Sequence, residues 1–265
     1  MTIPLYHLDA FAREPFRGNP AAVCCLERPL DGQTMHAIAA ENNLPATAFV
    51  TPDGGDFALR WFTPTAELEL CGHATLAAGH VLLNVLEPQR ERVDFNTRAG
   101  RLAVERDGER LALDFPALYI RDERPPESVA GALGIMPSAL WAAEGERGMA
   151  VLRDASQVRD LRPDMDAIAT LPFSALIVTA PGFAGDCDFV SRYFAPKYGV
   201  GEDFVTGSAH CVLTPYWAGV IEKSKLFARQ LSARGGELWV EARGDRVRIG
   251  GTCVLILEGQ LKVQP

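Results

Sequence analysis

The sequence has no apolar run long enough to span a membrane, because charged residues interrupt every stretch before the ~20 residues that a span requires. Asp9 interrupts the first residues early, and no basic segment followed by a long apolar run is found there. The six cysteines have neither Cys-x-x-Cys spacing nor the density of a disulfide framework. These absences predict a cytoplasmic protein that does not associate with membranes.

Positive charge and cofactor motifs are also scarce. The formal net charge is −8, which argues against a general binder of nucleic acid or of an anionic membrane surface. No Gly-x-x-x-x-Gly-Lys-Ser/Thr loop and no Gly-x-Gly-x-x-Gly turn opens a helix, so nucleotide binding has no support. Five histidines without a repeated ligand spacing argue against a metal site. We therefore predict no cofactor and no metal, although a few local donors could still hold an anionic substrate.

The sequence contains one motif that occurs twice. Residues 60–64 (RWFTP) precede residues 71–74 (CGHA) and an apolar stretch. Residues 192–196 (RYFAP) precede residues 206–209 (TGSA) and another apolar stretch. The two arginines and the two glycines are separated by nearly the same length of chain, which indicates two halves related by duplication. A cleft between such halves is where small ligands usually bind.

The repeat predicts the domain organisation. One half is residues 1–118, completed by a C-terminal strand at 250–265, and the other is residues 119–249, with the polar stretch 119–126 as linker. Each half has a central helix, beginning at Gly72 or Gly207. Both helices are apolar on nearly all faces, which is typical of buried helices. The expected class is α+β, with a mixed sheet wrapped around the central helix of each half.

The starts of the two central helices are candidate anion sites. A glycine lets the backbone approach a ligand closely, and the first amides of a helix have no internal partner. The helix dipole adds positive potential there, so Gly72 and Gly207 together could hold a carboxylate without a basic side chain. The alternative is that each glycine only ends a strand and begins a helix.

Polar groups beside these glycines could transfer protons. Cys71 precedes a helix start, which favours its thiolate and makes it a candidate proton acceptor, unless it is a buried core thiol. An imidazolium at His73 would favour that thiolate further. Asp203 could orient His73 or act as a base, and Thr206 and Ser208 flank the second glycine.

This constellation resembles the phenazine-biosynthesis isomerase (PhzF-like) family, which shares its fold with diaminopimelate epimerase. The segments that match are the opening at 9–11 and 18–23, the first turn at 60–64 and 71–73, and the second turn at 199–203 and 206–209. The resemblance implies two pseudo-symmetric halves with the active site between them, no cofactor, and a homodimer.

The resemblance also implies site residues. His73, Asp203 and Ser208 fall on substrate-site positions, Gly72 and Gly207 on anion-binding turns, and Asn19 and Thr206 are assigned to substrate binding. The family's acid–base glutamate follows Asn-Leu-Ser, whereas this chain reads Asn-Leu-Pro at 43–45 and then Ala46. Cys71 takes the place of one catalytic cysteine of the related epimerases, and Thr206 takes the place of the other.

The expected function is a cofactor-independent isomerase that removes and returns a proton of a small carboxylate, with Cys71, His73 and Asp203 as catalytic residues. Racemisation and double-bond isomerisation both stay open. Two alternatives are a lyase or dehydratase on the same scaffold, and a carboxylate-binding protein that lost catalysis with the glutamate at position 46.

Overall fold

The chain folds into two compact units. The computed structural model describes residues 1–263. Unit 1 consists of residues 1–114 and the chain from residue 250 onward, and unit 2 consists of residues 115–249. The division lies slightly before the expected one at 118. Residues 264 and 265, the end of the strand predicted at 250–265, lie outside the described residues.

Unit 1 contains most of the N-terminal half of the chain. An additional π-helical segment, Val81–Leu86, continues the second helix. The elements are β1 (Thr2–Ala10), β2 (Asn19–Cys25), α1 (Gly32–Asn42), β3 (Ala46–Asp53), β4 (Asp56–Phe62), β5 (Glu67–Leu68), α2 (Gly72–His80), β6 (Arg92–Thr97), β7 (Gly100–Asp107) and β8 (Arg110–Pro116).

Unit 2 follows, and the last strand of the chain then returns to unit 1. A single 3-10 turn, Pro196–Tyr198, separates two of the strands. The elements are β9 (Ile120–Arg124), α3 (Glu127–Leu133), β10 (Ala139–Ala143), β11 (Arg147–Val151), α4 (Ala155–Asp160), α5 (Met165–Thr170), β12 (Ala175–Pro181), β13 (Phe189–Ala195), β14 (Val200–Asp203), α6 (Gly207–Ile221), β15 (Lys225–Gln230), β16 (Gly236–Arg243), β17 (Arg246–Gly251) and β18 (Cys253–Lys262).

The two units repeat one strand topology. In unit 1, β2 runs parallel to β3, β3 antiparallel to β4, β4 antiparallel to β5 and parallel to β6, and β6 antiparallel to β7. In unit 2, β11, β12, β13, β14, β15 and β16 repeat those relations in the same order. The mixed sheets and the few helices confirm the expected α+β class.

An arginine–glutamate pair recurs at the same place in both units. Arg60 on β4 donates to both carboxylate oxygens of Glu67 on β5, at 2.7 and 2.9 Å. Arg192 on β13 donates to both carboxylate oxygens of Glu202 on β14, also at 2.7 and 2.9 Å. Each guanidinium also lies over the phenylalanine two residues later, with the carbon 5.2 and 5.0 Å from the ring centre. The duplication read from the sequence is therefore preserved in side-chain contacts.

Replacing Arg192 by methionine is expected to lower the free energy of unfolding by about 3 kcal/mol, because removal of one partner of a buried ion pair leaves the other uncompensated. Arg192 is 8% exposed and also donates to the backbone oxygens of Val158 and Leu161. The matched control is Arg60→Met, for which about 1 kcal/mol is expected since this pair is more exposed. Urea denaturation measures both, and equal losses would contradict the argument.

The central helix of unit 1 is buried as predicted. α2 begins at Gly72, and all of its residues except Gly72 and His80 are buried. It packs against β1, β2, β3 and β7. A Cβ at Gly79 would lie 2.5 Å from the Val104 side chain on β7, so this close packing requires glycine. No helix within residues 1–263 combines the length and apolarity needed to cross a bilayer.

The central helix of unit 2 begins at Gly207, also as predicted, and continues through a proline. Pro215 has no amide hydrogen, so the backbone oxygen of Cys211 one turn earlier cannot accept the usual helical bond. The backbone amide of Leu118 donates to that oxygen instead, at 2.9 Å. The segment that follows β8 therefore fixes the middle of α6 within unit 2.

One expectation about the chain course is wrong, and another is located more closely. Residues 119–126 are not a linker, because residues 120–124 form β9, which pairs antiparallel with β10. The polar composition reflects an exposed strand that needs only backbone pairing. The strand expected at the end of the chain is β18, which follows β17 after Thr252. β18 then pairs antiparallel with β1 from Thr2↔Lys262 to Ala10↔Cys253.

Candidate active site

The turn before α2 brings a thiol and an imidazole together in unit 1. Cys71 is the N-cap residue, in extended conformation, and is 6% exposed. Its Sγ lies 3.5 Å from Nδ1 of His73, which is also buried. The Cys71 side chain does not cap the helix. The first-turn amides of α2 are therefore not satisfied by the residue in the cap position.

The charge state of His73 differs from the sequence-based expectation. Burial lowers the pKa of His73 to about 4, so the ring is neutral at neutral pH. An imidazolium at His73 therefore does not stabilise a Cys71 thiolate at that pH, and the expectation that it would is wrong. The neutral ring can form a hydrogen bond with the thiol instead. The sequence could not show this, because the shift comes from burial alone.

Asn19 and Ala46 mark a second part of the unit 1 site. Asn19 begins β2 and is fully buried. Ala46 begins β3, is fully buried, and is opposite Ala21 in the parallel β2–β3 pair. The two strand starts therefore lie side by side at one edge of the sheet. Glu41, five residues before Ala46 in the sequence, is exposed and lies in α1.

The turn before α6 is held by a hydrogen-bond network in unit 2. The Thr206 hydroxyl donates to the Asp203 carboxylate at 2.6 Å. Gln230 on β15 accepts from the Thr206 amide at 2.8 Å and donates to the Asp203 backbone oxygen at 2.9 Å. Gln230 is 1% exposed. The network fixes the Asp203 carboxylate relative to the helix start.

A cation lies beside Ser208, the second residue of α6. The Arg147 guanidinium, at the start of β11, is 3.4 Å from the Ser208 hydroxyl, to which it donates. It also donates to the backbone oxygen of Glu144 at 3.1 Å. The expected anion turn of unit 2 is therefore not built from backbone amides alone.

The first turns of α2 and α6 use the same internal bond. The Thr75 hydroxyl donates to the backbone oxygen of Cys71 at 2.6 Å. Nδ1 of His210 lies 2.9 Å from the backbone oxygen of Thr206, which can only accept, so Nδ1 carries the hydrogen. In both helices a side chain one turn later thus binds the carbonyl of the residue before the glycine, and this bond keeps the two turns alike.

The N-termini of the central helices differ from those of α1, α4 and α5. In each of these an aspartate side chain accepts an amide of the first turn, namely that of Thr34, Gln157 or Ala167. The cap residues of α2 and α6 make no such bond, although Gly207 is buried and Gly72 is half-buried. The short α3 also has no side-chain cap. A capping side chain would fill the space that an anion on the buried helix starts would use.

Each predicted site residue can now be placed within its own unit. Unit 1 groups Cys71, Gly72 and His73 at one turn, and Asn19 lies at a strand start. Unit 2 groups the remaining predicted residues at the turn before α6, and the pairing of Asp203 with His73, which would join the two units, stays a prediction.

The sequence-based prediction missed Gln230 and Arg147. Gln230 is distant from Thr206 along the chain, and Arg147 follows a Glu-Gly-Glu run typical of a solvated turn. The unit 2 set is Asp203, Thr206, Gly207 and Ser208.

Comparison with known sequences shows what the chain is similar to. The family model described as phenazine biosynthesis-like protein matches residues 8–259. A Pseudomonas aeruginosa protein named an uncharacterized isomerase is 47% identical over 263 residues, which cover 99% of this chain and 100% of the relative. A mouse phenazine biosynthesis-like domain-containing protein is 37% identical over 286 residues, covering 98% and 99%. These relatives support an isomerase-type enzyme.

Solved structures agree with the sequence relatives. A PhzF family protein of Enterococcus faecalis is 42% identical, with a TM-score of 0.95 over 99% of this chain and 100% of its own. A hydroxyproline epimerase of Agrobacterium vitis is 11% identical, with a TM-score of 0.63 over 98% and 92%, and shows likeness of fold alone. The chain belongs to the phenazine biosynthesis-like (PhzC/PhzF) family and has the diaminopimelate-epimerase-like fold.

Proposed function

We propose that this protein is a cofactor-independent isomerase that binds a small carboxylate and moves one of its protons. The observation that carries the proposal is the contrast between helix starts, since aspartates cap three helices whereas α2 and α6 have no side-chain cap. Buried amides without partners are costly, and a carboxylate at a helix start satisfies them. Family membership supports the same class of chemistry.

Proton transfer is assigned to the groups beside these amides. Cys71 is the candidate base, because its thiol lies at the start of α2 with Sγ 3.5 Å from Nδ1 of His73. A thiolate at this position lies at a helix start, where the dipole stabilises it. Asp203 is the candidate partner that orients His73 or returns the proton to the product, and its carboxylate is oriented by the Thr206 hydroxyl.

The carboxylate turn is tested by Gly207→Val. A side chain at this buried helix start is expected to weaken the binding of small carboxylates such as hexanoate about 100-fold, since two charge-assisted hydrogen bonds are lost. The matched control is Gly219→Val in the same helix, where a new Cβ would meet open space. Calorimetry measures binding and thermal melting checks folding. Unchanged affinity in folded Gly207→Val would refute this site, and equal loss in Gly72→Val is expected if both turns serve one ligand.

The chemistry is tested by deuterium exchange on the carboxylates that bind. Incubation in deuterated water followed by NMR is expected to show exchange at one carbon, and Cys71→Ser is expected to slow it about 100-fold, the low end for loss of a general base. Cys187→Ser, a half-buried cysteine of unit 2, is the control. Exchange that persists in Cys71→Ser would contradict this role for Cys71 and would indicate that Asp203 is the base.

Two alternatives give different outcomes in that experiment. A lyase or dehydratase releases water and leaves a new unsaturated product. A carboxylate-binding protein binds the ligand without exchange, and the replacement of the family glutamate by Ala46 favours this candidate over the lyase.

A further inference from the structure

Unit 2 contains a cavity of about 660 Å³ at one end of its sheet. Its lining comes from the end of β10, the start of β11, the segment before β12, and the 3-10 turn after β13. Pro172 and Phe173 supply an apolar wall. The ring of Phe173 packs on Gly148, where a Cβ would lie 2.6 Å from a ring carbon. A cavity of this size with an apolar wall fits a small organic ligand.

The polar lining of this cavity is mainly cationic. Arg124, Arg147 and Lys197 contribute to it, against one carboxylate, that of the exposed Glu146. Arg124 pairs with Asp122 at 3.5 Å. Arg147 and Lys197 form no ion pair with any carboxylate of residues 1–263. Two cations without a countercharge thus share one cavity.

Arg147 is also incompletely satisfied by neutral groups. Its described acceptors are the backbone oxygen of Glu144 and the Ser208 hydroxyl at 3.4 Å. Its Nε is buried and has no hydrogen-bond partner within residues 1–263. A guanidinium presents its donors in a fixed plane that matches a carboxylate. An anionic ligand would supply both the missing acceptor and the missing charge.

The repeated topology places this cavity at strand starts that correspond to those of β2 and β3 in unit 1. The starts of β2 and β3 in unit 1 carry Asn19 and Ala46, which the family resemblance connects with substrate and catalysis. The starts of β11 and β12 are the corresponding strand starts of unit 2, and Arg147 and the cavity lie there. Arg147 further reaches Ser208 on the anion turn of the same unit.

We propose that this cavity is a second anion subsite, in which Arg147 and Lys197 bind a second carboxylate of the substrate. The inference rests on the proposed function, in which the turn at Gly207 binds the first carboxylate. The substrate is accordingly a small dicarboxylate, or an acid whose remote end carries an equivalent negative charge, with its apolar body against Phe173. Specificity then comes from the distance between the two subsites.

The test compares adipate with hexanoate by calorimetry on the full chain. The two probes have the same number of carbons and differ only in the second carboxylate, and their flexible chains adapt to the spacing. The wild-type protein is expected to bind adipate about ten-fold more tightly than hexanoate, the effect of one added charge-assisted contact. Arg147→Gln and Lys197→Gln should each remove this preference. Arg153→Gln, an exposed arginine outside the cavity, should keep it.

The outcomes separate this inference from the proposed function. Equal affinities for adipate and hexanoate, or a preference that survives both cavity substitutions, would refute the second subsite and leave the carboxylate turn intact. Hexanoate binding that survives Gly207→Val would refute the turn, while the adipate preference still tests the cavity. If neither probe binds the wild-type protein, both proposals are wrong. Because the described hydrogen bond of Lys197 goes to the backbone oxygen of Leu171 and not to the turn, its variant remains informative if Arg147→Gln fails to fold.

Discussion

Acidification to pH 4 is expected to remove about 6 kcal/mol from the free energy of unfolding through His73 and His210 alone, about 3 kcal/mol for each of these buried histidines. Burial lowers the pKa of His73 and of His210 to about 4, from an ordinary value of 6.5. As the pH falls, the unfolded chain protonates these rings near 6.5, whereas the folded chain keeps them neutral until about 4. The unfolded state therefore binds more protons in this window, and stability is present above pH 6.5 and lost toward pH 4.

This loss is comparable with the whole stability of an ordinary domain, about 5–15 kcal/mol. Urea denaturation at several values between pH 7.5 and pH 4 measures it. Carboxylates such as Glu67 and Asp94, whose pKa values arginines lower, lose their stabilising charge only below pH 4.5. The slope between pH 6.5 and pH 5 therefore belongs to groups that titrate like histidine.

The control variants are His73→Asn and His210→Asn. Asparagine keeps a donor near the position of Nδ1, which in His210 donates to the Thr206 carbonyl. Each variant is expected to lose about 3 kcal/mol of the pH dependence, whatever its stability at pH 7.5. The double variant should keep only the part that comes from His80 and His7, whose pKa values burial also lowers. A double variant with the wild-type slope would show that other groups carry the effect.

Ala46→Glu is expected to raise deuterium exchange on a bound carboxylate about 100- to 1,000-fold, within the range for an added general acid–base group. The substitution restores the residue that the family resemblance connects with proton transfer. Ala46 is fully buried, so the new carboxyl group should also have a raised pKa, which brings it closer to neutral pH and makes it a better base. NMR exchange assays in deuterated water measure the gain.

The matched control is Ala46→Gln, which has the same size but cannot transfer the proton. Both variants should lose stability to a similar degree, since both place a polar group where alanine is buried. Gain of exchange in the glutamate variant alone would support a site that is otherwise intact. An inert Ala46→Glu that still binds hexanoate would show that the remaining residues perform a different chemistry.

Local signals in the sequence predicted the parts of the fold that short segments determine. The helix starts at Gly72 and Gly207 were predicted correctly, since a glycine at a helix start acts within one turn. The prediction of a linker at 119–126 was wrong, because an exposed strand needs only backbone partners and its side chains stay polar. Composition alone cannot distinguish such a strand from a linker.

The site was predicted less completely, because its properties arise from contacts distant in the sequence. The neutrality of His73 depends on the burial of its ring, which no neighbouring residue reveals. Gln230 satisfies the Thr206 amide from another strand, and Arg147 reaches Ser208 from the start of β11. Gln230 continues the alternation of Leu226 and Ala228 on the buried face of β15, and a polar residue at such a position was a signal that could have been found.

The pairing of the first strand with the last affects the order in which the protein can form during its synthesis. β1 lies between β2 and β18, and Thr2 pairs with Lys262. A nascent chain therefore holds β1 with one open edge until nearly all other residues have left the ribosome, whereas residues 115–249 emerge as one continuous segment. Domains generally fold as units during synthesis, so the unit encoded second can be finished first. While this edge of β1 is unpaired, the nascent chain is exposed to aggregation through it. Chaperones that bind extended strands would shorten that period.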